Sequence, residues 1–591
     1  MSTEVAQVGV DPIGARKRPW SRILWTLGVF LALAIFVGLF YKQTFTGLTD
    51  RHAMDVAQVA RNISSGNGFT TRLVRPFNVA LISNPDKQFA EINTAPAFPH
   101  AVATVFKLRG ASDQTVIWVS MLFLLITAVV TYALGKHLFG WRVGLLAAAL
   151  VGVSLPILRD ATSGTEWTMA GCLFMLTLFV VALHHGSMLK PGRMSGVIYP
   201  AAAAVLLALL FMTNHVLLWL IIPLGVYFGV TGPGRRLHLI VFAAVAVLAV
   251  APWAIRNATL TGGSILGANA WDVMSHTTAF PGDVIYRSTD AANLGVARAV
   301  LFPIERFWSF TAKLMTGSTE VLQATLAALG LGIMPFAFVS MLYRFKVPSA
   351  NALRGFVYGA TALLVPCFAL FSVDPKAVVL LAPVVAIFGS AYFFLLLDAK
   401  ALHPIYARAA VGVLVLVTAW PGLSATLWRS DTPELRAIAE ANRYYVVVLA
   451  QRGFRGLVYA DVPWIAALRT EGTAVWLPRT DADVTELTAA GLPMQGAILT
   501  DEADTYSSSE VWYKLHGFDF WRRYLNDPNK CKDDMAQIAA GQRIGVDQVE
   551  RGLREMKRQL ALSDSVSECS STLLKGPLDP DTIVVVQFPP R

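Results

Sequence analysis

The stretch ILWTLGVFLALAIFVGLFY, from Ile23 to Tyr41, decides the fold class. It contains no charged residue, and it is long enough to cross a bilayer, which takes about 20 residues of α-helix. Four basic residues precede it, namely Arg16, Lys17, Arg18 and Arg22. Because basic residues favour the cytoplasmic flank of a span, we predict a signal anchor behind a cytoplasmic tail at residues 1–22.

The composition of the whole chain also indicates a membrane protein. Of its 591 residues, 55% are hydrophobic and 15% are charged, and the mean hydropathy is +0.52. Soluble domains carry about 25% charged residues, and disordered chains combine low hydrophobicity with high charge, so both classes are excluded. The formal net charge of +10 does not indicate a nucleic-acid partner, because the basic residues form short clusters between apolar runs.

The chain is predicted to be a polytopic α-helical membrane protein with about eleven transmembrane helices. The spans are predicted near residues 23–41, 115–134, 143–158, 167–183, 195–213, 216–230, 239–255, 321–342, 355–372, 377–397 and 409–427. Basic residues concentrate in the loops that are inner if the N-terminus is cytoplasmic, as the positive-inside rule expects. An odd number of spans then places the C-terminal segment outside, and we expect a bacterial inner membrane.

The predicted transmembrane domain, residues 23–427, includes large outer loops at 42–114 and 257–320, and residues 428–591 form an outer tail. In the tail, short apolar runs alternate with helix-like stretches, which is typical of a small α/β domain. The predicted strands are Gly456–Ala460, Thr473–Leu477, Gly496–Thr500 and Thr582–Phe588, and the predicted helices are Pro433–Gln451 and Val546–Leu562.

The four cysteines fall into two groups. Cys172 and Cys367 lie in predicted spans and are interpreted as small packing residues. Cys531 and Cys569 lie in the outer tail, where an oxidising compartment favours a disulfide between them. Two free thiols are the alternative, which non-reducing mass mapping distinguishes.

Two aspartates stand in the first outer loop, beside a possible amphipathic helix. Val56, Val59 and Ala60 recur at helical spacing, so a short helix is predicted on the membrane surface. Asp50 and Asp55 lie near its start. Each is either a catalytic carboxylate or a helix-terminal residue, Asp50 as an N-cap and Asp55 through the helix dipole.

The next outer turn, Arg159 to Glu166, also carries two acids. Ionisable groups at membrane depth usually face a cavity or a partner. Asp160 either belongs to a site or pairs with Arg159, and Glu166 either faces a substrate or stabilises the N-terminus of the following helix.

Two cations stand at predicted outer membrane boundaries. Arg256 follows Trp253 at the end of the seventh span, and Lys376 lies between the ninth and tenth spans. Arg256 is either an interfacial anchor or a bidentate ligand for an anionic lipid phosphate. Lys376 either supplies a second charge for such a phosphate or fixes topology.

Several short motifs resemble the GT-C superfamily of membrane glycosyltransferases, and in particular the protein mannosyltransferase-like family (glycosyltransferase family 39-like), which includes the aminoarabinose transferase of lipid A. The resemblance covers roughly residues 20–400. Its motifs are Ala60-Arg61-Asn62…Gly66-Asn67-Gly68-Phe69, Pro96-Ala97-Phe98-Pro99, Gly110-Ala111-Ser112-Asp113, Leu138-Phe139-Gly140 and Pro252-Trp253…Arg256-Asn257.

The resemblance implies a polyprenyl-phosphate-linked sugar donor, an extracytoplasmic acceptor, membrane lipids as partners, and inversion at the anomeric carbon. It also implies a catalytic aspartate in the first outer loop. The acidic pair usual in the family, nine residues before the Arg, falls on His52-Ala53 in this chain. Asp55 is therefore the first candidate for the catalytic acid and Asp50 the second. Glu166 and Asp160 are candidates for acceptor binding or a second acid, and Arg256 and Lys376 for the donor phosphate.

Two other functions are alternatives. A secondary transporter often has broken helices and ionisable groups at the midplane, whereas the acids of this chain cluster in outer loops. An envelope scaffold has no need for carboxylates and an arginine at one membrane face. A divalent metal occurs in some relatives, but no compact ligand motif in the sequence predicts one.

Overall fold

The computed structural model describes residues 19–82, 89–187, 195–290, 295–371, 378–400, 403–427, 456–494, 496–499 and 584–587. Two compact units are present. The helical unit comprises Met1–Phe69, Glu91–Val273 and Leu301–Ala439, and the sheet unit comprises Thr70–Ala90, Met274–Val300 and Glu440–Arg591. Several predicted features lie outside the described residues, among them Lys376, Cys531, Cys569 and the helices at 433–451 and 546–562.

The α-helices follow in chain order. They are α1 Pro19–Thr44, α2 Arg51–Ser64, α3 Pro76–Leu81, α4 Ala97–Arg109, α5 Asp113–Phe139, α6 Trp141–Val153, α7 Leu155–Ser163, α8 Trp167–Ser187, α9 Ser195–Thr213, α10 Ile221–Val230, α11 Arg235–Leu260, α12 Gly295–Glu305, α13 Phe307–Ala328, α14 Gly330–Leu342, α15 Pro348–Phe371, α16 Val378–Ala399, α17 Pro404–Leu427, α18 Pro463–Arg469 and α19 Asp481–Ala489. Three 3-10 helices, His215–Leu220, Gly267–Val273 and Val284–Arg287, connect some of them.

Eight helices of the described chain are long and apolar enough to cross a membrane, and two bent helix pairs raise that number to ten. The chain is therefore an integral membrane protein. The predicted third span, 143–158, is divided between α6 and α7, which meet at 59°. The predicted sixth span, 216–230, falls on the shorter apolar segment His215–Val230. The total of eleven spans stays a prediction.

The predicted eighth span, 321–342, falls on the C-terminal part of α13 and on α14. α13 and α14 meet there at 113°. Gly330, at the start of α14, has φ +67, a left-handed conformation that ends a helix and that glycine adopts without strain. Hydropathy does not reveal such a break, because apolar residues continue on both sides of the glycine.

The helical unit buries α8 and α16 and exposes α1, α11 and α17 along most of their length. The exposed helices carry large apolar side chains, among them Trp25, Leu248 and Trp420. In water such a surface would be costly, but lipid is its natural solvent. The pattern of burial thus agrees with a helical bundle whose rim faces the bilayer.

The sheet unit contains strands β1 Leu73–Val74, β2 Leu457–Ala460, β3 Thr473–Trp476, β4 Gly496–Leu499 and β5 Val584–Gln587. Their order is β1-β3-β2-β4-β5, with parallel pairs except between β4 and β5. The four runs predicted as strands in the tail all fall on β2 to β5. β1 comes from the first outer loop, which the sequence did not indicate. The start of a tail domain at residue 428 and its extracytoplasmic position stay predictions.

One side chain holds the second outer loop to the tail within the sheet unit. Asp483, in the first turn of α19, accepts hydrogen bonds from Thr289 N at 2.9 Å and Thr480 N at 2.8 Å. Burial alone raises the pKa of Asp483, but these hydrogen bonds and those from the threonine hydroxyls lower it below its ordinary value. A neutral residue at this position would lose charge-assisted hydrogen bonds to both segments.

Candidate active site

Asp50 starts α2 as its N-cap. It has φ −78 and ψ 128, and its Oδ1 accepts the backbone N–H of Ala53 at 2.9 Å. The capping alternative for Asp50 is therefore observed, and such a cap contributes about 1 kcal/mol to helix stability.

α2 is a helix, as predicted, and it is covered by protein; its position at the membrane surface stays a prediction. Every residue from Ala53 to Ala60 is buried, and the helix packs against α4. A one-sided apolar pattern reports that a face is covered, and it does not distinguish lipid from a neighbouring helix.

The second first-loop aspartate, Asp55, is buried inside the helical unit. Its side chain is 2% exposed, and its Oδ1 accepts a hydrogen bond from Gln58 Nε2 at 2.8 Å. Asp50, in contrast, is half-buried. Of the two candidates, Asp55 is thus the carboxylate in the more strongly water-excluded environment.

Glu166 contacts α2 through a residue that the sequence analysis did not select as a site residue. His52 Nε2 lies 2.9 Å from Glu166 Oε2, and Asn214 Nδ2 donates to Glu166 Oε1 at 3.3 Å. The only signal for His52 was the departure from the family pattern, since His52 stands where that pattern has an acid. Asn214 interrupts two apolar runs, which is a signal for a polar function inside a membrane protein.

The His52–Glu166 contact changes the ionisation of both groups. Burial alone lowers the pKa of His52, but the charge of Glu166 and the contact with its carboxylate outweigh burial. With added effects of Asp50 and Asp55, they raise the pKa of His52 to about 9. Burial alone raises the pKa of Glu166, and the charge and contact of His52 lower it below its ordinary value. At neutral pH the contact is therefore an ion pair.

Asp160 lies in the same turn as Glu166 and is buried, while its neighbour Arg159 is exposed. Asp160 Oδ1 accepts a hydrogen bond from Thr165 Oγ1 at 2.9 Å. The carboxylate therefore braces the turn that leads into Glu166. A role in acceptor binding stays a prediction for both acids.

Arg256 occupies an aromatic cradle near the end of α11. Its guanidinium carbon lies 4.5 Å from the ring centre of Trp253 and 5.2 Å from that of Phe69. Nη2 donates to Glu91 O at 3.0 Å, and Nη1 donates to Asn257 Oδ1 at 3.2 Å. Each cation–π contact contributes about 0.5–2 kcal/mol, depending on desolvation. The side chain is thus fixed in orientation instead of extending freely toward the interface.

Glu91 was also missed by the sequence analysis. It is fully buried, and its Oε1 accepts the backbone N–H groups of Asn93 at 2.6 Å and Thr94 at 2.8 Å. These bonds shape the turn that begins at Glu91, and the main-chain carbonyl of Glu91 accepts the hydrogen bond from Arg256. No sequence pattern identifies a residue whose side chain is used only for hydrogen bonds to the main chain of its own loop.

The Asn214–His215 segment joins the acids to the arginine. Asn214 contacts Glu166, and the next residue, His215, accepts a hydrogen bond at Nε2 from Trp253 Nε1 at 3.3 Å. Trp253 in turn carries Arg256 on its ring. The structure therefore places the His52–Glu166 pair and the aromatic cradle of Arg256 in one continuous network of contacts within the helical unit.

This network offers a water-excluded carboxylate and an oriented cation, which suits proton removal from a hydroxyl and stabilisation of a leaving phosphate. In the part of the chain that the structure describes, no group of three His, Cys, Asp or Glu side chains is arranged to hold a metal ion.

Gly267 allows the 3-10 helix Gly267–Val273 to pack closely against the main chain of Ile92, in the turn that follows Glu91. Its φ is +64, and a Cβ there would lie 2.3 Å from Ile92 O. We expect Gly267→Ala to lower thermal stability and transfer activity together, because strain of about 1–3 kcal/mol would displace the loop beside Arg256. Gly262→Ala is the control, since Gly262 has φ +68 but no neighbour within 4 Å. Equal melting temperatures for the two variants would contradict the packing argument.

Comparisons with known proteins give fold-level relatives only. No protein-family profile matches the sequence, and no curated protein matches it. Among solved structures, the oligosaccharyltransferase AglB of Archaeoglobus fulgidus, in complex with an inhibitory peptide and a dolichol-phosphate, aligns with a TM-score of 0.51 at 12% identity. That alignment covers 83% of this chain and 71% of AglB.

Two further solved structures are similar. The apo form of the Archaeoglobus fulgidus enzyme has a TM-score of 0.52 at 11% identity, covering 83% of this chain and 72% of that one. The apo form of ArnT from Cupriavidus metallidurans has a TM-score of 0.49 at 14% identity, covering 82% of this chain and 94% of that one. The two alignments with the Archaeoglobus fulgidus enzyme show that the chain has the fold of a GT-C glycosyltransferase.

Proposed function

We propose that this protein is a membrane glycosyltransferase that moves a sugar from a polyprenyl-phosphate donor to an extracytoplasmic acceptor. The carrying observation is the network of contacts that links His52 and Glu166 to Arg256 through the segment Asn214–His215. Asp55 lies three residues after His52 on the same face of α2. The GT-C fold supports the proposal, since AglB, which shares it, was solved with a dolichol-phosphate.

In the proposed reaction, Asp55 is the general base. It removes the proton of an acceptor hydroxyl as the hydroxyl oxygen bonds to the anomeric carbon. The bond from that carbon to the phosphate oxygen breaks at the same time, and its electron pair leaves with the lipid phosphate. Attack opposite the leaving group inverts the anomeric configuration. Asp50 is the second candidate for the base, although one of its oxygens already caps α2.

Arg256 is proposed to bind the donor phosphate. A guanidinium has five N–H donors, and contacts within the described chain use two of them. The aromatic cradle fixes the planar group, so little conformational freedom is lost when it binds a phosphate in a bidentate manner. Lys376 is a proposed second cation for the same phosphate.

Glu166 and Asp160 are proposed to orient the acceptor from the turn before α8. Glu166 is held ionised by His52, so it can accept a hydrogen bond from a second acceptor hydroxyl. We further propose that the site faces the periplasm of a bacterial inner membrane, with the N-terminus in the cytoplasm. The sugar, the acceptor and the prenyl chain length are open.

Mass spectrometry of a deletion strain tests this function. A transferase predicts accumulation of one polyprenyl-phosphate sugar and loss of one envelope glycan, and purified protein in proteoliposomes should then transfer that sugar. Solute flux by the same proteoliposomes, without any transfer product, would identify a transporter instead. An unchanged set of lipid-linked sugars and glycans would contradict the proposal.

A further inference from the structure

His52 is a ring on which three carboxylates act, namely Glu166, Asp50 and Asp55. Glu166 contacts it at 2.9 Å. Asp55 lies three residues further along α2, a spacing that puts both side chains on the same helical face, and Asp50 lies two residues before it at the N-cap. Both aspartates act on the ring electrostatically. A carboxylate at hydrogen-bond distance favours the charged form of a histidine ring.

On α2 itself, Arg51 precedes His52 and Arg61 lies in the last turn. Further titratable groups stand on α4 and α5, which pack on α2. α4 contributes His100, which stacks on Phe69 with ring centres 5.7 Å apart, and its basic residues Lys107 and Arg109 belong to its last turn. Arg109 lies over Trp118. α5 contributes Asp113, whose Oδ2 accepts the N–H of Leu48 at 3.0 Å.

We propose that the His52 imidazolium is the cation paired with Glu166 and acts as a positioning residue for transfer. Its charge keeps Glu166 ionised in a buried position. The expected effect of His52 on kcat rests on the proposed function, whereas its effect on the ionisation of Glu166 does not. His52 itself exchanges no proton with the substrate.

The ring is suited to this task by its exposure. Its side chain keeps 40% of its surface accessible, whereas that of Glu166 keeps 7%. The ring can therefore exchange its proton with water while its Nε2 atom stays paired with Glu166. As the pKa of His52 is raised to about 9, the cation is present below that pH and is lost above it.

The test compares His52→Gln, which removes the charge, with His52→Lys, which retains a cation. We expect His52→Gln to lower kcat roughly 10- to 100-fold, the range for loss of a charge-assisted hydrogen bond. His52→Lys should recover most of that loss and move the alkaline limb of the kcat profile upward from about pH 9. His52→Lys as inactive as His52→Gln, or His52→Gln with the wild-type profile, would overturn the proposal.

Thermal stability gives a readout that needs no substrate. Since the pKa is higher in the folded state than the ordinary 6.5, the contribution of the pair is complete below about pH 6.5 and is lost as the pH rises through about 9. Wild-type protein should therefore lose its Tm advantage over His52→Gln across that window. A constant difference would contradict an ionic role, even if the protein proves not to be a transferase.

Two further variants complete the design. His276→Gln is the matched control, because His276 contacts Asp283 at 3.4 Å with a similar exposure of 39% but belongs to the sheet unit. It should leave kcat and its pH profile unchanged. Glu166→Gln removes the pair from the other side, so it should abolish the same pH-dependent stability if His52→Gln fails to fold. Retention of that dependence in Glu166→Gln would overturn the proposal.

Discussion

Asp55→Asn is expected to lower the rate of sugar transfer by roughly 10²- to 10⁴-fold, the usual contribution of a general base. Asn has nearly the same size and keeps an oxygen that accepts from Gln58, so the buried environment of residue 55 should be retained. An amide, however, does not take the proton of the acceptor hydroxyl. The measurement is single-turnover transfer in proteoliposomes, with expression and Tm as checks on folding.

Asp50→Asn is the matched control for this prediction. Asn caps helices as well as Asp, so the bond to Ala53 N is retained while the charge is lost. If Asp55 is the base, Asp50→Asn should keep most of the activity. Full activity of Asp55→Asn together with an inactive Asp50→Asn would assign the base to Asp50.

Arg256→Ala is expected to raise the KM for the lipid-linked donor roughly 10- to 100-fold, the range for loss of hydrogen bonds to a charged group. The KM for the acceptor should change little, because the arginine contacts only the departing phosphate in the proposed reaction. Initial rates with the donor and acceptor varied separately measure both constants. Arg256→Lys should restore only part of the affinity, since a point charge does not grip a phosphate with two parallel hydrogen bonds.

Arg142→Ala controls for the loss of an arginine on an aromatic ring. Arg142 lies 4.5 Å from the ring centre of Phe394 and pairs with Asp398 at 3.3 Å, a similar set of contacts at the other end of the spans. It should not alter either KM. Equal increases in both KM values for Arg256→Ala would indicate that Arg256 only anchors α11.

Much of the helical unit follows from hydropathy alone. Runs of about 20 apolar residues are long enough to require a helix in lipid, and the predicted spans fall on the observed helices or helix pairs. The bends at Ser154 and Gly330 were missed, since a break within apolar sequence depends on one backbone conformation. The burial of α2 was missed because hydrophobic periodicity shows that one helical face is covered but does not show whether lipid or a neighbouring helix covers it.

The candidate site was predictable where a charge stood out against apolar sequence. Glu166 and Arg256 were selected in this way, and they belong to one network of contacts. Asp55 was selected from the spacing of the first-loop motif, and its role stays a prediction. His52 and Glu91 were not selected. A histidine gains its charge from a carboxylate more than a hundred residues away in sequence, and Glu91 acts through its own main chain. Neither relation is visible in local sequence.

The most direct test of the account is a structure of the Asp55→Asn variant with the lipid-linked donor that accumulates in the deletion strain. The account predicts the donor phosphate within hydrogen-bond distance of the Arg256 guanidinium, with the anomeric carbon directed toward residue 55 and Glu166. A phosphate bound away from Arg256, or a sugar directed away from these acids, would contradict it.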